Sequence, residues 1–151
     1  IKNDTDLGKL AKTYMDKGDL VPDEVTIQML QSEVDKNSHS AGFLFDGFPR
    51  TLAQAEALDK FLESKGQSIT ATVALEADDN ILVARLLERG KTSGRPDDQD
   101  EEKIRNRYDE YNQKTAPLMN YYKDQGKFHS VDGIGTIEEV TERLTVVFNK
   151  F

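Results

Sequence analysis

The stretch Phe43-Leu44-Phe45-Asp46-Gly47-Phe48-Pro49-Arg50-Thr51-Leu52-Ala53-Gln54 constrains the fold of this chain more than any other. An apolar run of strand length stops at a carboxylate, Asp46. Gly47 and Pro49 then forbid both a continued strand and an immediate helix, because glycine frees the backbone while proline withdraws a donor and biases its predecessor to extended geometry. The chain must turn there, holding Asp46 and Arg50 one short loop apart. Thr51 next opens a helix in which Ala55, Leu58, Phe61 and Leu62 recur at helical spacing, with Gly66 as the stop. A buried strand, a tight loop and a helix make half of a βαβ unit. Ligands of open α/β sheets bind outside the carboxyl ends of the strands, where Asp46 and Arg50 would sit. Two readings of the stretch stay open on residue physics alone. Asp46 and Arg50 could pair with each other while Thr51 and Gln54 form a capping box, or the loop could hold a ligand.

With 151 residues and 17.0 kDa, the chain suits one domain with a real core. It contains no cysteine, which excludes a disulfide framework and a thiolate zinc site and fits a reducing compartment. No apolar run reaches membrane-spanning length and no leader pattern opens the chain, so a soluble, cytoplasmic protein is expected. A net charge of −8 argues against nonspecific binding to nucleic acid or to a membrane surface. Small phosphate ligands remain open if positive charge is concentrated locally. Most of the arginines do cluster, at Arg85, Arg89, Arg95, Arg105 and Arg107, and a guanidinium fork suits bidentate contact with phosphate. A salt-bridged helical surface is the competing reading of that cluster.

Taken in order, Asp4 or Thr5 can cap a helix with Leu7, Leu10, Ala11, Tyr14 and Met15 on one stripe, ended by Gly18. Pro22, Asp23 and Glu24 suit the first turn of a second helix running to Asn37. Residues 70–76 read as a strand. Asp78 or Asp79 caps a helix carrying Ile81, Leu82, Leu86 and Leu87, expected to break at Gly90, with Arg85 and Arg89 four apart on one face. The segment 91–99 is built from turn formers. A helix is expected from Asp100 to Gln113, in which Arg105 can pair with Glu101. Arg107 lies about 200° around the helix from Arg105 and faces elsewhere. A short helix ends near Gly126, and Lys127 to Val131 reads as a third strand followed by the turn Asp132-Gly133-Ile134-Gly135. Thr136 and Glu139 form a capping box for a last helix lined by Ile137, Val140, Leu144, Val147 and Phe148.

Asp-Gly-Phe-Pro-Arg followed by Thr and, three residues later, Gln resembles the signature of adenylate kinases, within the nucleoside monophosphate kinases. The resemblance runs from Leu7-Gly8 to the C-terminus. It implies an α/β fold, a P-loop-kinase-like parallel sheet with helices on both faces. In it, residues 1–37 belong to the lobe that binds the nucleoside monophosphate, 43–89 and 101–151 form the core, and 90–100 is a short lid without a zinc site. It implies reversible phosphoryl transfer, ATP + AMP = 2 ADP, with Mg²⁺ accompanying ATP. The AMP site would comprise Met15, Asp19, Leu20, Val21, Gly47, Phe48, Pro49, Arg50 and Gln54. Arg50 would grip the phosphate and Gln54 would read the adenine. On helical spacing alone Met15 suits the core better than a ligand contact. Arg95 and Arg107 would close onto the transferring group and contact AMP. Arg85 would stack on the ATP adenine, Arg89 would reach its phosphates, the carbonyl near Gly135 would meet the adenine, and Asp46 would hold a water of the Mg²⁺ shell. Thr51 and Gln54 favour adenine, whereas pyrimidine-specific relatives tend to carry Asn after Pro-Arg.

Two departures from the family pattern stand out. Arg95 and Arg107 are one residue further apart than usual, an excess that a bulge before the helix expected from Asp100 would absorb. The family's first strand, its glycine-rich phosphate loop, its first helix and its second strand have no counterpart in these residues. The missing first strand would lie between 43–46 and 70–76, leaving an open slot in the sheet. The expectation is therefore an adenylate kinase whose 151 residues are inactive alone and active with the upstream segment restored. The full-length protein would be a monomer, and the shorter chain open to self-association. The alternatives are a noncatalytic AMP-binding or interaction module, and a kinase for UMP or CMP.

Overall fold

A computed structural model describes residues 5–16, 21–93 and 100–151. Its contacts divide the chain into two compact units, 1–68 and 69–151.

In the first unit, α1 (Asp6–Asp16) begins where the Thr5 hydroxyl accepts from the Gly8 N–H at 3.1 Å, so threonine supplies the N-terminal cap. Helix α2 (Asp23–Lys36) starts directly after Pro22 and buries Val25 and Val34. Helix α3 (Leu52–Ser64) buries Gln54, Ala55, Leu58 and Leu62, three apolar side chains on one stripe plus one amide. It ends with the Gln67 N–H bonded to the Leu62 carbonyl and the Gly66 N–H to that of Glu63, the paired closure expected of a glycine just past a helix. Helix α2 packs against both α1 and α3.

The second unit is built on a parallel pair, β1 (Thr72–Glu76) and β2 (Phe128–Asp132), in register from Thr72 opposite Phe128 to Glu76 opposite Asp132. Parallel strands need a long crossover. Here it is α4 (Asp79–Ser93), α5 (Glu101–Glu110), a π-helical turn over Tyr111–Thr115, and α6 (Leu118–Asp124). Helix α7 (Ile137–Phe148) returns against β2, started by a complete capping box between Thr136 and Glu139. Val83, Ile104, Leu118, Tyr122, Val131 and Val147 form the core of this unit.

Several expectations are corrected. Residues 43–46 do not form a strand. A strand exists only through ladder hydrogen bonds, and no described segment pairs with these residues. Leu44 is accordingly 81% exposed. Helix α4 does not break at Gly90 but runs three residues further, with Gly90 buried. Glycine weakens a helix interior by only about 1 kcal/mol, which tertiary packing offsets. The helix opened by Asp100 stays α-helical only to Glu110 before widening into the π turn. Ile137 shares the apolar stripe of α7 but is 82% exposed, because nothing described covers the first turn.

Candidate nucleotide-binding site

In the first unit the loop from Asp46 to Arg50 is tied to helix α3 and to the start of α2. Gly47 has φ +68°, a left-handed conformation that side chains resist, and the peptide between Phe48 and Pro49 is cis. The turn folds Arg50 back so that its Nε donates to the Gly47 carbonyl at 2.7 Å. A Cβ on Gly47 would stand 3.1 Å from Arg50 Nη2. Glycine is therefore required twice over, by backbone conformation and by the close approach of the guanidinium.

The Thr51 hydroxyl caps α3 by accepting from the Gln54 N–H at 3.2 Å. Only this half of the expected capping box forms. Gln54 Oε1 accepts from the N–H of Arg50 at 2.7 Å instead of that of Thr51. The other end of the amide, Nε2, donates to Asp23 Oδ1 at 2.7 Å, while Thr51 Oγ1 donates to Asp23 Oδ2 at 2.8 Å. Gln54 is 6% exposed, so these bonds satisfy an amide removed from water. Asp46 is exposed and makes no ion pair among the described residues, which disposes of the reading in which it simply pairs with Arg50. Phe48 and Pro49 are half-buried beside it.

In the second unit Arg85, on α4, reaches the turn after β2. Its Nη1 donates to the Gly133 carbonyl at 2.6 Å and its Nη2 to the Gly135 carbonyl at 3.1 Å. Arg143, on α7, donates to the carbonyls of Asp132 at 2.8 Å and Ile134 at 2.6 Å. Gly133 fits because its own N–H bonds the Glu76 carbonyl, and a Cβ there would lie 3.0 Å from that oxygen. Gly135 has φ +130°, and a Cβ would collide with the Glu139 carboxylate that completes the cap of α7. Arg89 and Arg107 are exposed on α4 and α5. Arg105 is occupied by Glu101 at 2.7 Å, as its spacing suggested. Tyr108 donates its phenolic proton to Asp79, tying α5 to the start of α4. Hydrogen bonding to that carboxylate raises the Tyr108 pKa above its usual value.

The structure thus gathers Gly47, Phe48, Pro49, Arg50 and Gln54 in one loop and helix end, and Arg85 with Gly135 at another. Val21 precedes α2 and is half-buried. Asp19, Leu20 and Arg95, with the rest of residues 94–99, lie outside the described residues, as does the side chain of Met15. Two residues escaped the sequence. Asp23 reads only as a favourable charge at a helix start, since its partners lie 28 and 31 residues away. Arg143 carries no local signal for a turn eleven residues upstream. Among the described residues no group of three or more His, Asp and Glu side chains could cage a metal ion, and no helix is long and apolar enough to cross a membrane.

The family model described as adenylate kinase matches residues 1–127. An adenylate kinase of Flavobacterium psychrophilum is 78% identical over 149 residues, which are 99% of this chain and 78% of that protein. One of Flavobacterium johnsoniae is 72% identical over the same shares. One of Kocuria rhizophila is 45% identical over 150 residues, 99% of this chain and 79% of the relative. With the Asp46–Gln54 loop intact and identity sustained over nearly its whole length, the chain belongs to the adenylate kinase family.

Proposed function

We propose that residues 47–54 are the acceptor site of an adenylate kinase reaction, in which AMP takes the γ-phosphoryl of ATP. A phosphate oxygen of AMP forms a bond to the γ-phosphorus as the bond from that phosphorus to the β,γ-bridging oxygen breaks, giving two ADP. No protein nucleophile is needed, so the side chains align reactants, neutralise charge and exclude water.

The observation that carries this reading is the linked set Gly47–Arg50–Gln54. The bond from Nε to the Gly47 carbonyl holds the Arg50 guanidinium in the loop, and in this reading the guanidinium meets the AMP phosphate. Gln54 is held by both ends of its amide, as a side chain that reads a base must be. Met15, Asp19, Leu20 and Val21 complete the nucleoside pocket in this reading. On the donor side, the edge of the Arg85 guanidinium is given to the Gly133 and Gly135 carbonyls, so its flat face is the surface offered to the ATP adenine. The Gly135 carbonyl keeps a second lone pair for that base. Arg89, Arg95 and Arg107 neutralise the phosphates, with residues 90–100 as the lid, 1–37 as part of the monophosphate lobe, and 43–89 and 101–151 as the core.

Asp46 suits Mg²⁺, a hard cation that usually keeps several waters and is shared between one or two carboxylates and substrate phosphates. Its exposed carboxylate would hold a water of that ion, which supplies charge neutralisation to the transferring phosphoryl group. Cytoplasmic location and a monomeric full-length state belong to the same reading.

The test is acceptor choice. Initial rates of ADP formation with AMP should exceed those with UMP and CMP by about a hundredfold or more in kcat/KM, because a site built to hydrogen-bond one base leaves buried groups unpaired with another. Equal use of UMP or CMP would refute it, and absence of turnover with every acceptor would favour a noncatalytic module.

A further inference from the structure

Gln54 carries an amide whose two ends are opposite in hydrogen-bonding character and nearly identical in shape. Which end points where decides what a base would meet. Two neighbours bear on that choice. Asp23, in the first turn of α2, places Oδ1 2.7 Å from one end of the amide. An ionised carboxylate only accepts, so that end must be the NH₂ group. The backbone N–H of Arg50 lies 2.7 Å from the other end and only donates, so that end must be the oxygen. Inverting the amide would set donor against donor and acceptor against acceptor, in a side chain only 6% exposed.

The Thr51 hydroxyl reinforces the arrangement. Its single proton goes to Asp23 Oδ2, leaving its lone pairs to accept the Gln54 backbone N–H that caps α3. Both oxygens of Asp23 are therefore engaged by the first turn of α3, one through its side chain reader and one through its cap.

We propose that Asp23 is a positioning residue that sets acceptor-base selectivity by locking the orientation of the Gln54 amide. The inference rests on the reading of Gln54 as the group that meets the acceptor base. Locked this way, the amide has one N–H and one oxygen lone pair left. That pair complements adenine, which offers an amino donor beside a ring-nitrogen acceptor. Hypoxanthine presents the reverse, a carbonyl acceptor beside a ring N–H, on a base of almost the same shape. AMP and IMP thus differ, at this amide, only in the order of donor and acceptor.

The experiment measures kcat/KM for AMP and for IMP in the full-length protein and in Asp23→Ala, Asp23→Asn, Gln54→Ala and Asp23→Ala/Gln54→Ala. The AMP-to-IMP ratio should fall by about tenfold or more in Asp23→Ala, with the KM for ATP within about twofold of wild type. Asp23→Asn, which still offers one oxygen to Gln54, should recover part of the loss. The double variant should match Gln54→Ala alone, since Asp23 acts through that side chain. An unchanged ratio in Asp23→Ala, or losses that multiply in the double variant, overturns the inference while leaving Gln54 as the reader. An unchanged ratio in Gln54→Ala overturns the reading of Gln54 and the inference with it. Should Asp23→Ala fail to fold, hydrogen exchange of the side-chain amides in the wild type decides: the Gln54 NH₂ protons should exchange with water markedly more slowly than those of exposed glutamines of the same chain, and exchange at the same rate contradicts the lock.

Discussion

Arg85 and Arg143 take alternate carbonyls of the same turn. Arg143 binds those of Asp132 and Ile134, and Arg85 binds those of Gly133 and Gly135. The turn is therefore held by guanidinium groups on two different helices, Arg85 through both Nη atoms and Arg143 through Nη1 alone. Net values near 1 kcal/mol per exposed hydrogen bond make each guanidinium worth about a few-fold in an equilibrium constant. Arg143→Met should raise the KM for ATP about three- to tenfold and leave that for AMP within about twofold. Arg143→Lys should restore part of the loss, because both carbonyls are met by the single nitrogen Nη1, a point contact that an ammonium can supply. Steady-state kinetics with each substrate varied in turn checks this.

Gly47→Ala should disturb both stability and the acceptor site. A side chain at φ +68° costs about 1–2 kcal/mol, and the added Cβ presses on the Arg50 guanidinium at 3.1 Å. The melting temperature should fall by about 2–8 °C for a chain of this size. The KM for AMP should rise, with that for ATP unchanged. A variant with wild-type KM for AMP would separate the loop from AMP binding.

Tyr108 gives a pH signature. Its bond to Asp79 raises the phenol's pKa in the folded state. A group raised on folding contributes stability that is fully present below the unfolded value, about pH 10 for tyrosine, and lost as pH rises through the folded value. Tyr108→Phe should melt below wild type at neutral pH, and the gap should narrow in the alkaline range. A gap that widens with pH would contradict the assignment.

Thr136→Ala removes the hydroxyl that accepts the Glu139 N–H at 3.2 Å and should destabilise the protein by about 1 kcal/mol. Urea unfolding should show an earlier midpoint with an unchanged slope.

These sites differ in how far the sequence announces them. The Thr136–Glu139 box, the Thr51 cap and the Gly66 stop depend on neighbours within one helical turn, and each forms where residue chemistry places it. The strand expected at 43–46 fails because an apolar run specifies only a disposition, while a strand requires a partner elsewhere. Gly90 misleads for a related reason: a modest local cost is offset by packing that the sequence does not display. In the loop before α3, the Asp46–Gln54 pattern marks a candidate site, but the division of hydrogen bonds within it does not follow. Gln54 turns to Arg50 and Asp23 rather than closing the box with Thr51, because Asp23 arrives from another helix. Long-range polar contacts of this kind leave no periodicity to read.

The central claim, that the loop ending at Arg50 binds the acceptor phosphate, is tested most directly by Arg50→Met. Hydrogen bonds from a charged fork contribute about 1.5–3 kcal/mol. With both substrates varied in a coupled assay of ADP formation in the full-length protein, the KM for AMP should rise about ten- to a hundredfold while that for ATP stays within about twofold. An unchanged KM for AMP, or a change confined to ATP, would contradict the account.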